Sequence, residues 1–234
     1  MRKLHFIGGE KGGIGKSFTS RLLAQYYIDL QRPFVGFDTD QSHGTFSRFY
    51  GEFASRLKTD GENLDHIIET LDTHLDCDVI VDLAAQTANN LFRWVEQCDL
   101  FVLLAEVGVQ AYFWHLVDDS ADCKNLLNDT LAKLDSDSVR LVVVKNSGRG
   151  LNFTPLEDSI TYTNAITFGA SVVELEALPA ALAQKIDFEN AKFLTKNNKI
   201  EVRELLFRRR RQSITFFIYA VIVGCVKIGI GFMA

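Results

Sequence analysis

Cysteine is sparse: Cys77, Cys98, Cys123 and Cys225 are the four in 234 residues, and they stand far apart with no C-x-x-C. That excludes a disulfide-dense scaffold and offers neither zinc-ribbon nor dithiol spacing, so the usage reads as that of a reduced, cytosolic chain. The histidines His5, His43, His66, His74 and His115 make no H-x-H or H-x-x-x-H, and the Asp72, His74, Asp76, Asp78 cluster reads as a solvated helix end. No internal repeat and no low-complexity linker is present. No secretory leader is expected, because the basic Met1-Arg2-Lys3 is followed only by Leu4-His5-Phe6-Ile7 before glycines, too short for an h-region. Acidic residues are missing from 207 onward, where Arg208, Arg209, Arg210, Arg211 and Lys227 stand. Residues 1–206 therefore carry about −10 and the tail about +5, behind a net charge of −5. An acidic body argues against a nucleic-acid surface spread over the whole domain.

The rest is ordinary globular material, 47% hydrophobic and 24% charged, long enough for one domain with its own core. Apolar runs alternate with helical spacing. Strands are expected over 3–8, 34–37, 79–83, 100–105, 139–144 and 172–175, and helices over 16–30, 45–57, 64–75, 89–97, 114–134 and 189–211. Continuous apolar strands between helices predict an α/β fold, a mainly parallel sheet covered on both faces, with ligands at the strands' carboxyl ends.

The strongest signal is Gly9-Glu10-Lys11-Gly12-Gly13-Ile14-Gly15-Lys16-Ser17, between the first strand and the first helix. Glycines let backbone N–H groups turn inward around phosphate oxygens, and the helix N-terminus adds free donors and partial positive charge. Lys16 is placed to reach the β- and γ-phosphates and the Ser17 hydroxyl to bind magnesium. Glu10 holds the first glycine position of the standard phosphate loop, so the pattern met is K-G-G-x-G-K-[ST].

With that pattern the chain resembles the ParA/MinD family of deviant Walker P-loop ATPases over roughly residues 3–195. The resemblance implies ATP and Mg2+ as ligands, with Gly12, Gly13, Ile14, Gly15, Lys16, Ser17 and Phe18 around the nucleotide. It also implies a homodimer with ATP sandwiched, in which Lys11 crosses to the other subunit's phosphates. Asp38-Thr39-Asp40-Gln41 resembles the family's D-x-D switch I motif; Asp40 is then the residue that positions or activates water, and Asp38 supports the metal shell. The proline that often follows this motif in relatives is missing, so a looser turn is expected. Cys77-Asp78-Val79-Ile80-Val81-Asp82 fits a Walker B strand, with Asp82 holding a magnesium-bound water, and Ala84-Ala85-Gln86 follows as switch II. Asn146 carries donor and acceptor groups suited to adenine, and Pro179 lies near where relatives carry a base-flanking proline. Asp38-Thr39-Asp40 with Thr45-Phe46 also resembles plasmid mobilisation and conjugative-transfer ATPases. Tyr112-Phe113-Trp114-His115 reads as core more than as a partner surface.

Ser213 to Ala234 is an uninterrupted, nearly uncharged stretch. As a helix it would span about 33 Å, against about 30 Å of bilayer hydrocarbon. Arg208–Arg211 before it predict a cytoplasmic N-terminal side. Two units are thus expected: a ParA/MinD-like ATPase domain over 1–206 and a basic-hydrophobic tail over 207–234 that associates with anionic membrane. Non-specific DNA binding through Arg203 and Arg208–Arg211 is the other reading of the tail. The expected function is an ATP-hydrolysing dimerisation switch that positions or partitions a cargo on a membrane or nucleoid, with a stimulating partner protein, at the inner face of the cell membrane. A metabolic ATP-dependent enzyme of the same fold, similar to dethiobiotin synthetase or cobyrinate amidases, and a nucleotide-binding scaffold that barely hydrolyses are the alternatives.

Overall fold

The computed structural model describes residues 1–188. The helix expected over 189–211, Arg203 and the tail 207–234 lie outside the described residues. The chain begins β1 (Arg2–Gly8), α1 (Lys16–Asp29), β2 (Phe34–Asp38), α2 (Thr45–Tyr50), β3 (Ala54–Arg56), α3 (Gly61–Thr73), β4 (Asp78–Asp82). It continues α4 (Ala88–Gln97), α5 (Leu100–Glu106), β5 (Val109–Val117), α6 (Cys123–Leu131), β6 (Val139–Asn146), α7 (Thr154–Glu157), α8 (Ile160–Phe168), β7 (Ser171–Leu175) and α9 (Ala180–Phe188).

The strands form one seven-stranded sheet in the order β3-β2-β4-β1-β5-β6-β7, every neighbouring pair parallel. The expected α/β architecture is therefore present. Strands such as Asp78–Asp82 are buried at every position, because helices cover both faces. On one face Ile7, Ile80, Trp114 and Val144 pack under α1, α2 and Ile186 of α9. On the other, Leu4, Phe6, Val81 and Phe113 pack under α3, α4, α5, α6 and α8. The chain runs from β1 leftward through β2 and later rightward through β5, so the carboxyl end of β1 is the point where strand order reverses.

Three expectations are corrected. Residues 100–105 are not a strand but lie in α5. Leu100 and Leu104 are fully buried while Val102 between them is 62% exposed, which is helical i, i+4 burial and not a central strand. The strand beside β1 is instead Val109–Val117, paired from Arg2↔Val109 to Gly8↔His115, so the helix expected over 114–134 shrinks to α6. Its aromatic and β-branched residues are buried on both faces and show no period of two. Likewise the helix expected over 45–57 stops at Tyr50, and Ala54–Arg56 adds an edge strand to β2.

The core assignment of 112–115 agrees with the structure. His5 is buried, accepts from the Trp114 indole at Nδ1 (3.1 Å) and so keeps its proton on Nε2, facing the Tyr27 hydroxyl at 2.9 Å. Burial, with Lys3 and Arg32 nearby, holds its pKa well below the usual value. Asp78 is not part of a solvated end: it is buried, accepts from the Lys3 backbone N–H at 2.6 Å and pairs with Arg32 at 2.8 Å.

Candidate functional site

β1 delivers the chain at the sheet's reversal point, and residues 9–15 wrap there before α1 begins. Gly15 is the N-cap residue at φ 107°, and no side chain caps the helix or places an acid in its first turn, so the end keeps its free amides and positive potential. A Cβ on Gly15 would lie 2.4 Å from the Asn146 amide nitrogen, so glycine is demanded twice over. Gly12 and Gly13 differ: a Cβ at either would meet nothing within 4 Å, and Gly12 has no left-handed φ. The chain itself gives no reason for glycine at Gly12. A ligand pressed against the backbone does.

Lys16 is buried, and its ammonium donates to the Lys11 carbonyl at 2.8 Å, folded across its own loop. Burial lowers its pKa, opposed by Asp82, Glu10 and Asp40. The Lys11 ammonium is paired with Asp118, the first residue after β5. Asp118 was not legible as a site residue, because the displaced strand assignment put it in mid-helix.

Beneath the loop, Asp38 and Asp82 are register partners at the carboxyl ends of β2 and β4. Asp38 accepts backbone N–H groups of Asp40 (3.0 Å) and Ser47 (2.8 Å), yet burial still raises its pKa. Asp82 is buried with neither carboxylate oxygen hydrogen-bonded. Burial pushes its pKa up to about 7, with Asp38 adding to the rise and the nearby Ser17 and Ser20 hydroxyls and Lys16 opposing it. Two adjacent buried carboxylates whose pKa values stay raised despite these neighbours suit a cation. Among the described residues no group of three or more His, Cys, Asp or Glu can hold a metal. The residues at hand for a divalent ion are the Ser17 hydroxyl with Asp38 and Asp82.

Asp40 stands at the rim. Desolvation pushes its pKa up, but backbone N–H groups of His43 (3.0 Å) and Ser42 (2.9 Å) outweigh that and hold it below the usual value. Thr39, between the two aspartates, ties the switch segments together. Its N–H and hydroxyl donate to the Asp82 carbonyl (2.9 and 3.1 Å), and the hydroxyl accepts the Ala84 N–H at 2.7 Å.

An open cleft of about 590 Å³ joins these parts, lined by Gly12, Gly13, Gly15, Lys16, Ser17, Phe18 and Asp40 on the loop side. Ala84 and Ala85 add switch II, and Arg149, Glu176, Leu178 and Ala180 form the far wall. That volume is in the range of small-molecule and cofactor sites. Ile14 is buried behind the loop and presents its backbone. Asn146 reaches the cleft but uses its amide on the protein: Nδ2 donates to the Ile14 carbonyl at 2.7 Å and Oδ1 accepts from Gly148 at 2.9 Å. Pro179 stands between two lining residues, and its carbonyl accepts the Ala183 N–H at 3.0 Å in the first turn of α9. Thr45, noted beside the Asp38-Thr39-Asp40 run, lies in the wall, while sequence reasoning missed Arg21, Arg149, Glu176 and Asp187; none of these belongs to a spaced motif, and only the fold gathers them.

The fold is similar to that of a solved MinD protein. MinD cell division protein from Aquifex aeolicus superposes with a TM-score of 0.59 at 12% identity, over 98% of this chain and 100% of that one. A nucleotide-binding protein from Archaeoglobus fulgidus, in complex with ADP, gives a TM-score of 0.49 at 12% identity, over 81% and 87% of the two chains. Two curated proteins from Escherichia coli, each called Protein TraL, are 29% identical over 114 residues, 46% of this chain and 47% of theirs. The match thus spans about half the length of the curated relatives. No family model matches the chain.

Proposed function

We propose that this chain is a magnesium-dependent ATPase that works as a dimerisation switch. The observation that carries the reading is the pairing of an open, side-chain-free stretch at Gly12 and Gly13 with the buried Asp82 carboxylate, whose neighbours Ser17, Ser20 and Lys16 leave its pKa raised. The first leaves room for a polyphosphate against main-chain amides, and the second asks for positive charge where phosphate-bound magnesium sits. Magnesium, when bound, would supply charge neutralisation on the phosphate oxygens, and Ser17, Asp82 and Asp38 are the residues that would hold it. Lys16 turns from the Lys11 carbonyl to the phosphates, and Asp40 orients the attacking water.

Lys11, exchanging Asp118 for the phosphates of a second copy, completes a sandwich dimer. The dimer engages a cargo or transfer machinery and a stimulating partner protein, and hydrolysis dissolves it. The tail 207–234 holds the dimer at anionic membrane on the inner face of the cell membrane, Arg208–Arg211 meeting the headgroups; DNA capture by Arg203 and the same arginines is the competing use of that charge.

The test is magnesium-dependent phosphate release by the full chain, with size-exclusion profiles in ADP and in ATP. Lys16→Ala is expected to abolish ATP binding, and Asp40→Ala to bind ATP and accumulate dimer without release. Tight ATP binding by Lys16→Ala, or a profile indifferent to nucleotide, would refute the reading. Pelleting with anionic vesicles, against neutral vesicles and duplex DNA, decides the use of the tail.

A further inference from the structure

The loop that carries Asp40 lacks the proline expected to stiffen it, yet it is not loose. Three side-chain and backbone tethers run from it to β3, the short edge strand. Leu57, just after β3, donates its N–H to the Asp38 carbonyl at 2.9 Å. Gln41 returns its amide Nε2 to the Leu57 carbonyl at 2.9 Å. Arg56, the register partner of Asp38, donates Nη1 to the Gln41 carbonyl at 3.0 Å. The exposed guanidinium lies against the turn: a Cβ on Gly44, at φ 52°, would lie 2.6 Å from both Nε and Nη2 of Arg56. Gly44 thus gives the turn its left-handed corner and also leaves the space that the guanidinium fills.

We infer that Arg56 is a positioning residue for Asp40, a side-chain staple that replaces backbone stiffness in the switch I turn. This rests on the ATPase reading for its functional consequence, but not for its structural one. Asp40 uses one carboxylate oxygen to accept the N–H groups of Ser42 and His43, so its orientation follows the path of residues 41–44. That path is fixed from β3 through Arg56 and Gln41. Arg56 is not among the residues lining the cleft, so it acts on turnover without touching nucleotide. Its guanidinium also bonds to a carbonyl rather than to a carboxylate, so its effect is steric and directional and should be insensitive to moderate salt.

The experiment uses the full chain as wild type, Arg56→Ala and Arg56→Lys. Two readouts are taken: steady-state phosphate release against ATP concentration, and amide hydrogen exchange over residues 40–47. Arg56→Ala should lower kcat about tenfold while KM for ATP stays within about twofold, the pattern of a misplaced group rather than a lost binding contact. Exchange over 40–47 should accelerate in Arg56→Ala and not elsewhere. Arg56→Lys, which keeps one donor, should recover part of both. Unchanged exchange in Arg56→Ala overturns the inference whatever the turnover does. Loss of kcat together with a raised KM and faster exchange across the whole sheet also overturns it, as a general loss of fold. A wild type that releases no phosphate refutes the ATPase reading alone, and the exchange arm still decides whether Arg56 holds the turn.

Discussion

Lys11 and Asp118 of the same chain form an ion pair across the mouth between the phosphate loop and the end of β5. Desolvation of Asp118 works against its ionisation, but the Lys11 and Ser120 hydrogen bonds prevail and keep its pKa below the usual value. The lysine that the ATPase reading sends to a second subunit is therefore engaged at home when the chain is alone. Removing that partner with Asp118→Ala should free Lys11 and shift the ATP-dependent dimer to lower protein concentration by a few-fold, with a weakened salt dependence. Light scattering across a dilution series in ATP checks this, and an unchanged or weaker dimer contradicts it.

Gly12 offers a separation of fold from binding. Because a Cβ there meets nothing within 4 Å and the residue has no left-handed φ, Gly12→Ala should leave the thermal midpoint unaltered. The added methyl should instead occupy the space of a phosphate and weaken ATP binding by about a hundredfold. Calorimetric titration beside a melting curve reads both. A drop in stability with intact binding would reverse the assignment of that space.

Asp82 makes the nucleotide-free chain sensitive to pH in a defined direction. Its pKa rises from 3.8 in the reference state to about 7 in the fold. Between those values the native state keeps a proton that the unfolded chain releases, so this group's contribution to stability declines as pH rises from about 4 to about 7 and is level above. Buried His5 and His115 act in the opposite sense: their folded pKa values are lowered, that of His115 to about 4, so protonation on unfolding costs stability as pH falls below about 6.5. The informative quantity is therefore the difference between wild type and Asp82→Asn. Without magnesium and nucleotide, Asp82→Asn should melt increasingly above wild type between about pH 5 and about pH 8. With magnesium-ATP the ranking should invert, since the amide removes the charge that holds the ion's waters. Parallel melting curves across that range would contradict the burial of an unpartnered charge.

Thr39 is the mechanical link between the switches. Thr39→Val keeps the shape but leaves the Ala84 N–H without the hydroxyl it donates to. The expected cost is about 1 kcal/mol in urea unfolding, the loss of a half-buried hydrogen bond. Phosphate release should fall with little change in KM, because switch II no longer follows switch I. Thr39→Ser, which retains the hydroxyl, should stay close to wild type.

The sheet-and-helix plan and the buried triad of loop, Asp38 and Asp82 are legible in the sequence because each rests on a local rule: apolar runs of strand length, glycines before a helix, an acid at a strand's end. What escapes is what depends on neighbours. Leu100–Glu106 and Val109–Val117 are both short apolar runs, and only burial on one side against burial on two tells helix from strand. Misplacing that strand hid Asp118. Arg56 escapes for another reason: in the sequence it is a lone charge in a polar stretch, and its meaning comes from pairing beside Asp38. Asn146 is legible as a polar group at a strand end, but its partner is not, since Ile14 lies 132 positions away in the chain.

That last bond has a consequence for attempts to re-engineer ligand choice. The Asn146 amide is a brace under Ile14 and Gly15, so any exchange there disturbs the turn before it reaches a ligand. Arg149 and Glu176 also line the cleft, and their side chains are the places where the hollow can be retuned with the loop left intact.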